Sequence, residues 1–239
     1  MVRSVKDSRA GSDQDAGRPG DKSAGRPRMT RAEQARATRR RIVAAATDLF
    51  LEHGYGATML EQVAREASVS VQTVYFHFGN KPTLLKAALD IAAVGDDEPV
   101  ALLQRPWLEE VRAEPDPTRM IALWVANGRS IMERIGPIMR VVHNASGTDP
   151  DLAAQWEVNE QQRLIAFATL AELLAERRAL KPGMSTESAR DIAFALGGVE
   201  TYLLLTGTCH WSATRWERWT ATTLAEALLP RLPDGQAGR

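Results

Sequence analysis

The sequence lacks three features that are typical of secreted or membrane proteins. Its 239 residues include one cysteine, Cys209, so no internal disulfide bond can form. No apolar run approaches the roughly 20 residues of a membrane-spanning helix. The N-terminus also lacks the apolar core of a signal peptide. We therefore expect a cytoplasmic protein without disulfide bonds.

The sequence also lacks the usual patterns of a metal or cofactor site. Its four histidines, at positions 53, 77, 143 and 210, do not have metal-ligand spacing. No glycine-rich phosphate loop is present, and Cys209 beside His210 has no orienting partner in view. We therefore expect no catalysis, no metal ion and no cofactor.

The sequence has no overall excess of positive or negative charge, since the formal net charge is zero. Arginine is nevertheless concentrated near the N-terminus. Only Glu33 opposes the cluster formed by Arg26, Arg28, Arg31, Arg36, Arg39, Arg40 and Arg41. Such a cluster is typical of a face that binds a polyanion, although part of it is also explained as a solvated charge run.

Composition and capping residues divide the chain into four segments. Residues 1–29 have almost no large apolar side chains, which predicts a disordered basic tail. Residues 30–95 and 96–230 each carry apolar stripes at helical spacing and predict two folded domains, followed by a disordered C-terminus at 231–239. Nothing in residues 96–230 alternates like a strand, and residues 30–95 predict helices, so we expect an all-α fold.

Residues 58–81 predict two short helices joined by a tight turn, with a third helix directly after them. Thr58 and Glu61 have the spacing of a capping box at the start of the first helix, which ends near Ala67. Ser70 is the predicted N-cap of the second. This helix-turn-helix, at 59–78, is a device for placing a helix in a groove of DNA.

The second short helix has two inward positions one turn apart, Val74 and Phe78. Asn80 then caps the following helix, whose first turn holds Lys81 and Pro82. The side chains not needed for the local core are free to contact another molecule: Val71, Gln72, Thr73, Tyr75, Phe76 and His77.

These motifs resemble the N-terminal DNA-binding domain of TetR-family transcriptional regulators. The resemblance rests on IVAAATDLFLEHGY at 42–55, Thr58, and VSVQTVYFHFGNK at 69–81, and covers residues 36–95. It implies a three-helix DNA-binding domain at 30–95 and an effector-binding and dimerisation domain at 96–230. We therefore expect a homodimeric, ligand-responsive regulator, and more specifically a repressor, that binds a palindromic double-stranded operator and a small-molecule effector.

The resemblance also implies roles for single residues. Positions that contact the DNA backbone or brace the recognition helix correspond to Thr58, Ser70, Thr73, Tyr75, His77 and Lys81. Positions that face base edges correspond to Val71, Gln72, Thr73 and Phe76. Hydroxyl, imidazole and ammonium groups suit phosphate oxygens, and Gln72 can pair with an adenine edge. Tyr75 and His77 have structural alternatives, as a core aromatic and a helix C-cap. Glu61 occupies a position where the family sometimes has a base-reading arginine, so sequence readout depends more on the second helix.

In the second domain, Asp116 and Asp149, each followed by proline, and then Ser185 and Ser212 predict helix starts, with a shorter helix at about 138–142. Aromatic and methionine side chains in the middle helices are usually core, but the resemblance implies a ligand pocket there. The candidate pocket residues are Trp107, Met120, Trp124, Asn127, Met139, His143, Trp156 and Phe167.

The last two helices, at about 186–206 and 213–229, have two explanations. They could complete an intramolecular core or form a four-helix dimer interface, which the resemblance favours. The candidate interface residues are Ile192, Leu196, Val199, Leu203, Trp216 and Leu224.

Two other classes of protein fit the same patterns. One is an all-helical enzyme or ligand carrier whose helix-turn-helix is only structural. The other is a chromosome-binding protein without sequence preference, which the basic tail would suit. A mobility-shift experiment with competitor DNA separates these classes.

Overall fold

The structure is a computed structural model that describes residues 30–95 and 102–231. All regular structure in these two ranges is helical, which confirms the predicted all-α fold. The predicted tail at 1–29 and nearly all of the predicted C-terminal segment at 231–239 lie outside the described residues.

Four helices form the N-terminal part: α1 Arg31–Ala57, α2 Leu60–Glu66, α3 Val71–Phe78 and α4 Lys81–Val94. The following part consists of α5 Pro106–Ala113, α6 Pro117–Ser146, α7 Pro150–Glu176, α8 Thr186–Gly197, α9 Val199–Leu203 and α10 Ala213–Leu228. A 3-10 turn at Leu102–Gln104 precedes α5, and a π-helical turn at Leu204–Thr208 follows α9.

Most predicted helix starts are confirmed by side-chain caps. Ser70 and Asn80 each accept the backbone amide of the residue three positions on, at 3.2 and 2.9 Å. Asp116 and Asp149 cap α6 and α7 through carboxylate oxygens, and each is followed by proline in the first turn. These caps satisfy amides that a helix start otherwise leaves without partners.

Thr58 closes one helix instead of opening the next, so the predicted capping box with Glu61 is wrong. Its side chain is fully buried, and its hydroxyl donates to the carbonyls of Leu49 at 3.1 Å and Gly54 at 2.8 Å. Met59 takes the N-cap position of α2. A hydroxyl next to two helix boundaries can serve either one, and here the bend of α1 at Gly54 (φ 77°) leaves carbonyls for it to cap.

Helix α6 is the central helix of the fold. It packs against α1 and α4 on one side and against α5, α7, α9 and α10 on the others. The predicted short helix at 138–142 is wrong, because α6 continues through Pro137. The apolar stripe stays in phase across the proline, with Ile135, Ile138 and Met139 all buried, so packing stabilises the helix there.

The predicted helix at 186–206 is interrupted. Its chain becomes extended at Gly198, which separates α8 from α9. A Cβ atom at Gly198 would lie 2.5 Å from the carbonyl oxygen of Phe194, so a larger residue does not fit there without a shift of the backbone.

Thr58→Val tests the closure of α1. The substitution preserves shape but removes the buried donor to two carbonyls, so we expect the free energy of unfolding to fall by about 1–3 kcal/mol. Chemical denaturation of the full chain measures this. Thr83→Val, at an exposed position of α4, is the matched control, and equal stability of the two variants would show that the hydroxyl is unimportant.

Candidate DNA-binding face and effector cavity

Helix α3 buries two side chains and exposes large aromatic ones. Val74 and Phe78 are buried as predicted, whereas Phe76 is 86% and Tyr75 49% exposed. Gln72 is exposed, and Val71, Thr73 and His77 are partly exposed. We call these six residues, Val71, Gln72, Thr73, Tyr75, Phe76 and His77, the α3 outer face. An aromatic side chain as exposed as Phe76 is typical of a surface that contacts another molecule.

The N-terminus of α3 has a rigid start. The Ser70 hydroxyl accepts the Thr73 amide and lies 2.9 Å from the Thr73 hydroxyl. Both hydroxyls are therefore fixed beside the backbone amides of the first turn, which is the part of a helix that attracts phosphate.

Lys81 lies in contact with the connection between α1 and α2. Its ammonium donates to the carbonyls of Tyr55 at 2.8 Å and Thr58 at 3.1 Å, and lies 4.2 Å from the centre of the Tyr55 ring. Burial lowers the pKa of Lys81, although the nearby Asp149 carboxylate opposes this shift. Lys81 and Thr58 therefore hold the frame around α3, while the other seven predicted DNA-contact residues lie at its cap or on its outer face.

Arg39 belongs to the predicted arginine cluster, but sequence patterns assigned it no role of its own. Its guanidinium lies 5.2 Å from the centre of the Phe78 ring, beside the end of α3. The cation–π contact places part of the arginine cluster next to the α3 outer face. The arginine run was visible in the sequence, but its partner on another helix was not.

Besides the packing of α6 on α1 and α4, two polar contacts join the N-terminal helices to the rest of the protein. On α6, Arg134 donates to the carbonyls of Ala92 at 3.0 Å and Ala93 at 3.1 Å, at the end of α4. On the other side, the Tyr55 hydroxyl lies near the Asp149 carboxylate, at the N-cap of α7. Burial and the interaction with this carboxylate raise the pKa of Tyr55. The end of α4 is thus tied to α6, and its first residue, Lys81, contacts Tyr55 of α1.

A cavity of about 510 Å³ lies between α4, α5, α6, α7, α8 and α10. Four of the candidate pocket residues line it: Trp107, Trp124, Met139 and Phe167. Leu89, Ala93 and Val94 of α4 also line it, and so do Trp216, Thr220 and Leu224 of α10. These α4 and α10 residues were not predicted as pocket residues, because the cavity is assembled from segments far apart in the chain.

The other four predicted pocket residues lie elsewhere. Met120 is buried in the core, and the Asn127 amide donates to the carbonyl of Leu123 at 2.9 Å. His143 is exposed, with its ring 5.0 Å from that of Trp156. Helical spacing places all four on apolar or neighbouring faces, but three-dimensional packing directs them away from the cavity.

Three of the six predicted interface residues are buried inside the subunit, so their assignment to a dimer interface is wrong. Val199 and Leu224 have no exposed surface and Trp216 almost none. Trp216 and Leu224 pack at the cavity instead, because α10 directs its apolar stripe toward α6 and α8. Ile192, Leu196 and Leu203 are partly exposed and stay available to a partner.

Within residues 30–95 and 102–231, no group of three or more histidine, cysteine, aspartate or glutamate side chains is placed to hold a metal ion. In the same residues, no helix is both long and apolar enough to cross a membrane.

A short helix with an exposed outer face, supported by a second short helix and followed by a helical domain with a cavity, defines a helix-turn-helix regulator. Comparisons with known proteins agree with this class. Residues 42–88 match the family described as "Bacterial regulatory proteins, tetR family". The transcriptional regulator TtgR of Pseudomonas putida is 30% identical over 178 residues, which are 70% of this chain and 80% of TtgR.

Other relatives are similar to this chain either over a short part of its length alone or over most of it. HbdR of Aromatoleum sp., also a transcriptional regulator, is 49% identical over 47 residues, 20% of each chain. The crystal structure of NalD from Pseudomonas aeruginosa, a repressor of the MexAB-OprM multidrug efflux pump, matches with a TM-score of 0.62 and 27% identity. That match covers 82% of this chain and 98% of NalD. The chain belongs to the TetR family of DNA-binding transcriptional regulators, as its motifs predicted.

Arg134→Met tests the tie between α6 and α4. The variant keeps an apolar stem but loses both hydrogen bonds, so we expect faster hydrogen exchange at the last turn of α4. Because the group is exposed, the expected loss of stability is only about 0.5–1 kcal/mol. Arg140→Met is the control, since the Arg140 side chain, on the same helix, has no hydrogen bond or ion pair within the described residues. Unchanged exchange in Arg134→Met would exclude the tie.

Proposed function

We propose that this protein is a homodimeric, ligand-controlled repressor that inserts α3 into the major groove of a palindromic operator and leaves it when a small molecule fills the cavity. The observation that carries the proposal is the position of α4. Its first residue, Lys81, anchors the frame of α3, and its last turns, through Ala93 and Val94, form the cavity wall. One rigid helix therefore contacts both sites. No catalytic step belongs to this role, and operator binding implies a cytoplasmic protein.

The α3 outer face supplies the proposed DNA contacts. Gln72 and Phe76 are the exposed side chains suited to base edges, an amide for adenine and an apolar ring for a thymine methyl group. Ser70, Thr73, Tyr75 and other polar groups around them suit phosphates. We assign Thr58 and Lys81 to support of α3, since the hydroxyl is buried and the ammonium is held by two carbonyls.

The proposed coupling runs through α4 and its two ties. A ligand that displaces Leu89, Ala93 or Val94 pushes on a helix whose end is held by Arg134 and whose start is held near Tyr55. The displacement therefore reaches α3 as a rotation of the whole N-terminal unit. Such coupling is reciprocal, so operator and effector must each weaken the binding of the other by the same factor.

Repression is supported by similarity to NalD, which is a repressor and is matched over 98% of its own length by this chain. We propose a domain boundary at the end of α4, where Arg134 of α6 contacts it. The DNA-binding domain is then at 30–95, and the effector-binding and dimerisation domain begins after it and ends near residue 230.

Gln72→Ala tests the docking of α3. We expect loss of preference at one base pair of each half-site, costing about 1–3 kcal/mol per half-site, with little change on unrelated DNA. Fluorescence anisotropy on the gene's own upstream region, with competitor DNA, measures this. Gln161→Ala, at an exposed position of α7, is the matched control. If the native protein shows no sequence preference, the chromosome-binding alternative is correct; if Gln72→Ala binds like the native protein, α3 does not read bases as proposed.

Leu196→Glu tests the dimer interface on the partly exposed side of α8. A charge in an isologous apolar seam faces its own copy, so we expect a folded monomer with lost operator binding. Light scattering, circular dichroism and anisotropy measure these properties together. Val199→Glu is the contrasting variant: it places the charge inside the subunit and should unfold it, because Val199 is fully buried. A Leu196→Glu protein that stays dimeric removes Leu196 from the interface.

A further inference from the structure

We propose that the cavity takes an uncharged, mostly apolar ligand that carries a hydrogen-bond acceptor, held by Trp216 and Thr220 of α10. This inference rests on the proposed function, since it names the chemistry of the effector. It comes from polar atoms in the cavity wall that have no partner.

The first observation is a pair of buried donors one turn apart on α10. The indole Nε1 of Trp216 and the hydroxyl of Thr220 are buried and have no hydrogen-bond partner within the described residues. Both residues line the cavity, with Trp216 almost fully and Thr220 fully buried. Residues four apart lie on the same helix face, so one ligand that displaces the side chains covering these atoms can contact both. An indole N–H can only donate, so its missing partner is an acceptor.

The Thr220 hydroxyl differs from those of two other helical threonines of this protein. Thr47 and Thr169 each donate to the carbonyl four residues earlier, at 2.8 and 3.2 Å. Thr220 has the same option in α10 but does not use it. A hydroxyl that is buried and not bonded to its own helix costs stability unless another group pairs with it.

A third donor lies in the same wall. The indole Nε1 of Trp107 is also buried without a partner within the described residues, and its ring packs edge-on against Trp124, 5.3 Å away. Three buried donors in one apolar cavity form the small set of polar handles that a ligand pocket provides for orientation.

The charged residues of the lining are already paired. Arg163 binds Glu200 through two hydrogen bonds, at 3.0 and 2.8 Å, and Asp90 binds Lys86 at 2.5 Å. A charged ligand would therefore enter an apolar cavity without a free counter-ion and would lose its hydration. Electrostatics thus favours a neutral ligand such as a ketone, ester, ether or phenol.

Four probes with one two-ring shape test this chemistry on the full-length dimer: benzophenone, diphenylmethane, 4-benzoylbenzoate and diphenylmethylamine. Benzophenone carries a neutral acceptor, diphenylmethane has none, and the other two carry a negative and a positive charge. Transfer from water alone favours diphenylmethane, because it lacks the polar carbonyl. Equilibrium dialysis should nevertheless show benzophenone bound about three- to tenfold more tightly than diphenylmethane, and the charged probes more weakly than benzophenone.

Thr220→Val identifies the anchoring group. The exchange keeps the shape of the side chain, so we expect the preference for benzophenone over diphenylmethane to shrink toward one. The melting temperature of the ligand-free variant should be equal to or higher than that of the native protein, because an unpaired buried hydroxyl is removed. Thr223→Val, on the same helix but outside the cavity lining, is the control and should keep the preference.

Several results would overturn the inference: equal binding of benzophenone and diphenylmethane, tighter binding of a charged probe, binding of no probe, or a Thr220→Val protein that keeps the preference and melts lower. Operator anisotropy with the same probes tests the proposed function separately. If diphenylmethane and benzophenone bind with equal affinity and both release the operator, the proposed repressor function is supported and the need for an acceptor is contradicted. If benzophenone binds selectively without any effect on operator affinity, the need for an acceptor is supported and the proposed repressor function is contradicted.

Discussion

The packing of α6 against α1 and α4 is the constraint on which the other features of this protein depend. The same 30-residue helix supplies Arg134 to the end of α4 and Trp124, Met132 and Met139 to the cavity wall. Packed interiors are dense and do not deform gradually, so a change on one side of α6 is transmitted and not absorbed. In the proposed mechanism, a ligand in the cavity and an operator on α3 therefore act on one shared set of contacts.

Around the cavity, the packing of the protein's own side chains is incomplete. Buried donors without partners and apolar walls without contacts both reduce stability, and a ligand that satisfies them stabilises the form it binds. Control of DNA binding requires that the arrangement of α4 that encloses a ligand differ from the arrangement that fits DNA. The small molecule and the DNA then each shift the population toward the arrangement they bind more tightly, by the difference between their affinities for the two arrangements.

The fold and the exposed face of α3 were predictable because their signals are local. Ser70 and Asn80 cap helices through residues three positions away, and Val74 and Phe78 repeat at one helical turn. Thr58 was misplaced because two helix ends compete for one hydroxyl, and only the bend of α1 decides between them. The cavity and the interface were less predictable. An apolar stripe shows that side chains such as Trp216 are buried, but not whether they pack on their own subunit, a ligand or a partner.

The most direct test is the distance between the two recognition helices in the dimer. Cys209, the single cysteine, is exposed and is replaced by serine, and a spin label is attached through Glu66→Cys at the exposed end of α2, which carries no proposed DNA contact. Pulsed electron paramagnetic resonance then compares operator-bound dimer with dimer saturated with benzophenone. We expect one distance compatible with half-sites about one turn of DNA apart in the first sample, and a displaced distribution in the second. Identical distributions in the two samples would contradict control of α3 by the cavity.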